Sequence, residues 1–249
     1  MSKQKNFLNL FKNKKPIIAM IHLKGESSGE IQKRAKEEIT IYVDEGVDCI
    51  MMENYYGDFI ELEKAIQYIT SLKLDIPIGV NCLNVDSMGF YLANKYDLDI
   101  IQVDSVVGHV KPRDETTLQA FFDLERSKTK AALIGGVRFK YQPVLSEKTL
   151  KEDLRISKDR CDAVAVTENA TGEETSIEKI KEFRNELGDF PLVVAAGVTK
   201  ENVLKQLEYC DAAIVGSSFK DTKKDTGDVS RKQVQEFMKL ITEYRKEEK

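Results

Sequence analysis

The chain has 249 residues, 41% of them hydrophobic, and a formal net charge of -4. That length can bury one large core, and the mildly acidic balance offers no electrostatic footprint for nucleic acid. No apolar stretch approaches membrane-spanning length, and the scattered cysteines (Cys49, Cys82, Cys161, Cys210) form no C-x-x-C pair, which argues against zinc and a disulfide framework and fits a reducing cytoplasm.

The first segment, Met1 to Lys15, sets lysines around Phe7, Leu8, Leu10 and Phe11 without the apolar stretch and cleavage site of a secretory signal. It is expected to form a short amphipathic helix closing one end of the fold, with a peripheral membrane contact as the weaker alternative. Apolar runs then recur at 17–23, 47–53, 76–83, 99–104, 131–139, 162–167, 191–196 and 211–216. Helical patterns fill the gaps: Glu30 to Glu45, Phe59 to Leu72, Asp86 to Tyr96, Thr116 to Ser127, Glu147 to Lys158, Ser176 to Leu187, Lys200 to Glu208, and from Ser230 onward. Eight strand-then-helix units with near-continuous apolar strands predict an α/β fold, a (β/α)8 TIM barrel. No linker or low-complexity tract divides residues 1–249, so one domain is expected. A homo-oligomer is left open.

Barrel chemistry gathers at the C-terminal strand ends. Side-chain alternation sends Ile101 and Val103 outward and Gln102 and Asp104 inward on the fourth strand. On the fifth, Val137 and Phe139 face out if Arg138 and Lys140 face in. His22 shares parity with Ile18 and Met20, and Asn81 with Gly79. A ring of polar tips (His22, Glu53 or Asn54, Asn81, Asp104, Lys140) is therefore expected at one mouth. The seventh and eighth runs end at Ala195-Ala196-Gly197-Val198 and Val215-Gly216-Ser217-Ser218, where small residues let the backbone approach a ligand. Amides of Ala196, Gly197, Gly216, Ser217 and Ser218 would cradle a phosphate, as the loops after strands seven and eight often do. The plainer alternative is that these glycines only permit tight turns.

Each candidate carries a second reading. His22 can transfer protons near neutral pH or be a hydrogen-bonded structural histidine. His109, in the loop after the fourth strand, is expected to be solvated. Glu53 and Asp104 can share acid–base work or hold Mg2+, or they can pair with Lys140 or Arg138. No transition-metal spacing is visible, and no cofactor is required. Lys140 can steady an enolate oxygen, form a Schiff base, or bridge to Asp104 or Glu53; the charge-stabilising role is favoured. Asn54, Asn81, Asn84 and Arg138 offer groups for ligand oxygens, Thr171-Gly172 a third gripping loop, and Ser217, Ser218 and Lys220 the rest of an anion pocket. No G-x-S-x-G elbow marks a serine nucleophile.

Ala19-Met20-Ile21-His22-Leu23, Glu53-Asn54-Tyr55-Tyr56-Gly57-Asp58, Ile78-Gly79-Val80-Asn81-Cys82-Leu83-Asn84-Val85-Asp86, Ala170-Thr171-Gly172, Ala196-Gly197-Val198-Thr199-Lys200-Glu201-Asn202-Val203 and Ile214-Val215-Gly216-Ser217-Ser218-Phe219-Lys220 together resemble the BtpA/SgcQ family. The resemblance spans nearly the whole chain in order. It implies a barrel of the ribulose-phosphate-binding type, in a family associated with photosystem I biogenesis in cyanobacteria and a sugar-utilisation operon in enteric bacteria. The chain departs from the family pattern at Ala19, at the loop from Lys24 to Gly29, at Gly136 where an aspartate is usual, at Lys140-Tyr141, and at Gln102-Val103-Asp104.

The leading expectation is an enzyme acting on a phosphorylated sugar or nucleoside-like molecule by proton abstraction next to a carbonyl, giving isomerisation or C–C cleavage. The alternatives are a non-catalytic ligand-binding or assembly factor, and a glycosidic-bond hydrolase or phosphorylase using Glu53 or Asp104.

Overall fold

A computed structural model of the chain describes residues 6–108 and 114–247. Eight parallel strands pair strictly in chain order, and the last returns to the first to close the barrel. They are β1 (Ile17–His22), β2 (Cys49–Glu53), β3 (Ile78–Asn81), β4 (Ile100–Val103), β5 (Ala132–Gly136), β6 (Ala163–Val166), β7 (Leu192–Val194) and β8 (Ala212–Val215). Eight helices alternate with them: α1 (Ser28–Asp44), α2 (Phe59–Ser71), α3 (Asp86–Tyr96), α4 (Glu115–Lys128), α5 (Leu150–Arg160), α6 (Ile177–Leu187), α7 (Val203–Leu207) and α8 (Arg231–Glu247). Short polar side chains start most of these helices by accepting a first-turn N–H. Ser27, Asp58, Asp114 and Ser176 each do so, and Thr149 with Glu152 forms a reciprocal capping box.

Every strand residue is buried, because helices cover one face and the barrel interior the other. Alternation divides them into two cores. Ile21, Ile50, Met52, Val80, Ile101, Val103 and Val164 pack outward against the helices, while Ile18, Met20, Cys49, Met51, Ile100, Ile134, Val193 and Ile214 fill the interior. A 3-10 turn (Phe7–Leu10) plugs the N-terminal end of the barrel: Phe7 is fully buried in the interior core, and Leu8, Leu10 and Phe11 pack beside it. The expected closure of one end is therefore present, as a single turn of 3-10 geometry.

One device recurs at that same end. Asp48, Asp99, Asp162 and Asp211 stand just before β2, β4, β6 and β8, and each carboxylate accepts an N–H from the start of the preceding odd strand: the first residue for Ile17, Ile78 and Leu192, the second for Leu133. Three of the four are also held by arginine: Arg245 on Asp48, Arg126 on Asp162 and Arg184 on Asp211. These carboxylates anchor strand starts on the side opposite the mouth, where barrel residues serve stability.

The fifth strand is shorter than its apolar run. It ends at Gly136, where an added Cβ would stand 2.2 Å from the Asp104 carbonyl oxygen. The chain then turns, with Arg138 at φ 48°. Alternation is lost across that turn. Phe139 joins the interior core rather than the outer one, and Arg138 swings out to Asp153 of α5. The predicted inward orientation of Arg138 and outward orientation of Phe139 are thus both reversed. Among the described residues, no helix is long and apolar enough to cross a membrane.

Candidate active site

The parallel register assembles a polar row. His22 pairs with Glu53, Glu53 with Asn81, and Asn81 with Gln102. Register partners in parallel strands point to the same face, and this face is the interior, continuing from Met20 and Met51. His22 Nε2 lies 3.2 Å from one Glu53 oxygen, and Asn81 Nδ2 donates to the other at 2.8 Å. Asn81 Nδ2 also reaches Asp104 at 3.4 Å, and the Gln102 side chain lies near enough to Asp104 to help hold its carboxyl down. Among the described residues, two buried atoms in this row have no partner: His22 Nδ1 and Gln102 Oε1.

Above the row lies a cleft of roughly 830 Å³, its open mouth included. His22, Glu53, Gln102 and Lys140 line one part of it, and Gly197–Thr199 with Gly216–Ser218 line another. Ala196 and Gly197 both adopt left-handed backbone at φ 59°, and a Cβ on Gly197 would stand 2.2 Å from the Glu173 carbonyl oxygen. A non-glycine residue in that region is uncommon and is held there by its surroundings. Asn202 fixes the turn, donating to the Gly197 carbonyl and accepting from Thr199 N–H. The N–H groups of Gly197, Ser217 and Ser218 meet no acceptor among the described residues. Lys223 lines the same wall, as does Lys200, whose ammonium is paired with Glu236.

Lys140 does not form the ion pair with Asp104 or Glu53 that one reading allowed. Its Nζ donates to Thr171 Oγ1 at 3.1 Å and sits 5.8 Å from the Tyr55 ring centroid. Among the described residues it has no carboxylate partner, so its charge is available to the cleft. Thr171 and Gly172 line the cleft beside it. Asn54 takes the structural alternative, its Oδ1 accepting Leu83 N–H at 2.8 Å. Arg138 is engaged outside the mouth, by Asp153 and the Lys148 carbonyl. Lys220 is absent from the anion wall: it is 1% exposed and pairs with Glu38 of α1 at 3.3 Å. Burial pushes the Lys220 ammonium below its usual range, against the pull of Glu38. His109 lies outside the described residues.

Aromatic residues not singled out in the sequence complete the mouth. Tyr55 stacks on His22 with centroids 4.9 Å apart, and Tyr56 meets the imidazole edge-on at 6.5 Å. Tyr56 donates to Asp225 at 2.7 Å, tying the β2 loop to the segment after β8. That segment is pinned by an antiparallel bridge between Lys220 and Val229, by Arg34 on Asp228, and by Lys24 on the Thr226 carbonyl. The consecutive tyrosines after β2 were the available signal, since residues following a barrel strand stand over its open end.

Burial raises the Asp104 carboxyl above the usual carboxylate range, with the charge of Glu53 adding to it and Lys140, Asn81 and Gln102 opposing. Asp86, at the start of α3, is pushed up to about 6 by burial and by the charge of Asp104. Among the described residues, no three His, Cys, Asp or Glu side chains converge as a metal site.

Solved structures share the fold. A phosphoribosyl anthranilate isomerase from Thermus thermophilus is 10% identical with a TM-score of 0.63, covering 92% of this chain and 99% of that one. A structure described as native KDPGal also gives 0.63 at 13% identity, covering 93% and 95%. An uncharacterized protein of Methanocaldococcus jannaschii is 26% identical, over 91% of this chain and 95% of the relative. The photosystem I biogenesis protein BtpA of Synechocystis is 22% identical, over 84% and 82%. The pattern of the BtpA family matches residues 13–243, nearly the full barrel, and the chain belongs to that family.

Proposed function

We propose that this protein is an enzyme acting on a phosphorylated sugar or nucleoside-like small molecule, by removal of a proton next to a carbonyl. One observation carries the reading: a single cleft joins the acceptor-free amides of Gly197, Ser217 and Ser218 to the His22–Glu53 pair and the carboxylate-free cation of Lys140. Amides and lysines suit a phosphate at one end. At the other end, His22 takes the proton from carbon, and Glu53 orients the imidazole and stabilises its positive charge. The C–H electron pair moves into the enolate, whose oxygen is steadied by Lys140 Nζ. Return of the proton to the neighbouring carbon, with the hydroxyl proton passing to the former carbonyl oxygen, is isomerisation. In lysis His22 takes instead the proton of the β-hydroxyl, whose carbon becomes a carbonyl as the C–C bond breaks and its electron pair enters the enolate, which is then protonated. The reading requires no cofactor. The shared fold of a phosphoribosyl anthranilate isomerase and a thiamine phosphate pyrophosphorylase fits a phosphorylated substrate.

A thermal-shift series with phosphosugars and nucleotides tests the ligand class, since a ligand bound to the folded state raises Tm. A rise with some phosphorylated compound is expected, and no rise with any of them would remove the basis of the proposal. With that ligand, His22→Ala and Lys140→Ala lose turnover by about 10²–10⁴-fold and keep binding. The name of the Synechocystis relative favours a second reading, a non-catalytic assembly factor. On that reading the wild-type protein has no turnover to lose, and surface substitutions matter more than mouth substitutions.

A further inference from the structure

The row of side chains across β1 to β4 has a direction. The Glu53 carboxyl stands 3.2 Å from His22 Nε2 and accepts from Asn81 Nδ2, and Asn81 also reaches Asp104. The Gln102 side chain lies near Asp104 and helps hold its carboxyl down, and among the described residues the buried Gln102 Oε1 has no hydrogen-bond partner. The oxygen is the unsatisfied end of the row. Gln102 is 4% exposed and lines the cleft together with Met20, Phe139 and Ile214. A buried carbonyl oxygen without a donor is unfavourable until something supplies one.

We infer that Gln102 is a specificity-determining residue whose Oε1 accepts a hydrogen bond from a hydroxyl of the substrate, so that the cleft takes a polyhydroxylated phosphate ester. This rests on the phosphate reading above, which supplies the opposite anchor. The donor is neutral, because Lys140 already places a cation in the cleft. It is not a second anionic group, because carboxylate or phosphate oxygens would meet the Gln102 oxygen and Glu53. The neighbouring Met20, Phe139 and Ile214 pack the carbon skeleton. An apolar chain of equal length would satisfy those walls but leave the oxygen unpaired, and a site built to bond a hydroxyl rejects such an analogue.

Calorimetric titration of the full chain with inorganic phosphate, ribose 5-phosphate and pentyl phosphate tests this. Wild type is expected to bind ribose 5-phosphate at least about tenfold more tightly than pentyl phosphate. In Gln102→Met that preference disappears while the affinity for inorganic phosphate is unchanged. If phosphate binds but wild type shows no preference, or Gln102→Met retains it, Gln102 does not read a hydroxyl and the phosphate reading stands. If inorganic phosphate and both esters fail to bind, the phosphate reading falls and this inference with it. Should Gln102→Met fail to fold, Gln102→Asn, which draws the acceptor back from the cleft, is read in its place: loss of the ester preference at unchanged phosphate affinity supports the inference, and a retained preference overturns it.

Discussion

Asp86 shows how one side chain's surroundings become a property of the whole protein. In the folded state its carboxyl keeps a proton up to about pH 6, because burial and the nearby Asp104 disfavour the charge. In the unfolded chain it releases the proton near pH 4. Between those values the folded state binds more protons, so stability falls as pH rises through the window and the full cost is present above it. Asp86→Asn is therefore expected to flatten that slope in urea titrations between pH 4 and 6. It should add at most about 3 kcal/mol at pH 7; an unchanged slope would contradict the assignment. The Asp104 carboxylate was legible from alternation along β4, whereas on β2 the sequence left Glu53 or Asn54 open. The partners of Lys140 and Lys220 were not legible, because a long flexible side chain can reach several elements and sequence carries no record of which lies nearest. Thr171 on the β6 loop and Glu38 on α1 are those partners.

Elements close the barrel at both ends, by different means. At the N-terminal end, the 3-10 turn inserts Phe7 into the interior core, and the ring meets Phe11 edge-on at 5.1 Å. Phe7→Ala leaves a cavity at the base of the interior and is expected to cost about 3–5 kcal/mol in chemical denaturation. A loss under about 1 kcal/mol would mean the turn only rests against the barrel. At the mouth, the segment after β8 is tied down by Tyr56 on Asp225, and burial of Lys220 with Glu38 roots its base. The amphipathic lysine–phenylalanine pattern made the plug legible. The end of β5 was not, since 131–139 reads as one apolar run. The strand stops where Gly136 lies against the Asp104 carbonyl at the end of β4, the preceding strand, distant in sequence but adjacent in space.

At the scale of the molecule, the aspartates before β2, β4, β6 and β8 tie the strands in pairs, and loss of one acts on the closed sheet. Asp162 receives Leu133 N–H and both Arg126 terminal nitrogens, at 2.9 and 2.7 Å, in a buried setting. Asp162→Ala leaves Arg126 buried without that carboxylate and is expected to cost about 3–5 kcal/mol. Because the barrel closes as one unit, the loss should appear as a lower midpoint at unchanged denaturant slope. Separate transitions by different probes would contradict that unity.

Sequence alone determined the eight strand–helix units, the barrel they imply and the strand-end residues near its mouth. It could do so because a twofold or 3.6-fold apolar period follows from each segment's own backbone geometry. Tertiary structure alone decided that Arg138 leaves the mouth, that Lys220 is buried, and that Gln102 ends a polar row with an open acceptor. Those outcomes depend on strand register and on contacts between residues far apart in the chain, which no local pattern encodes.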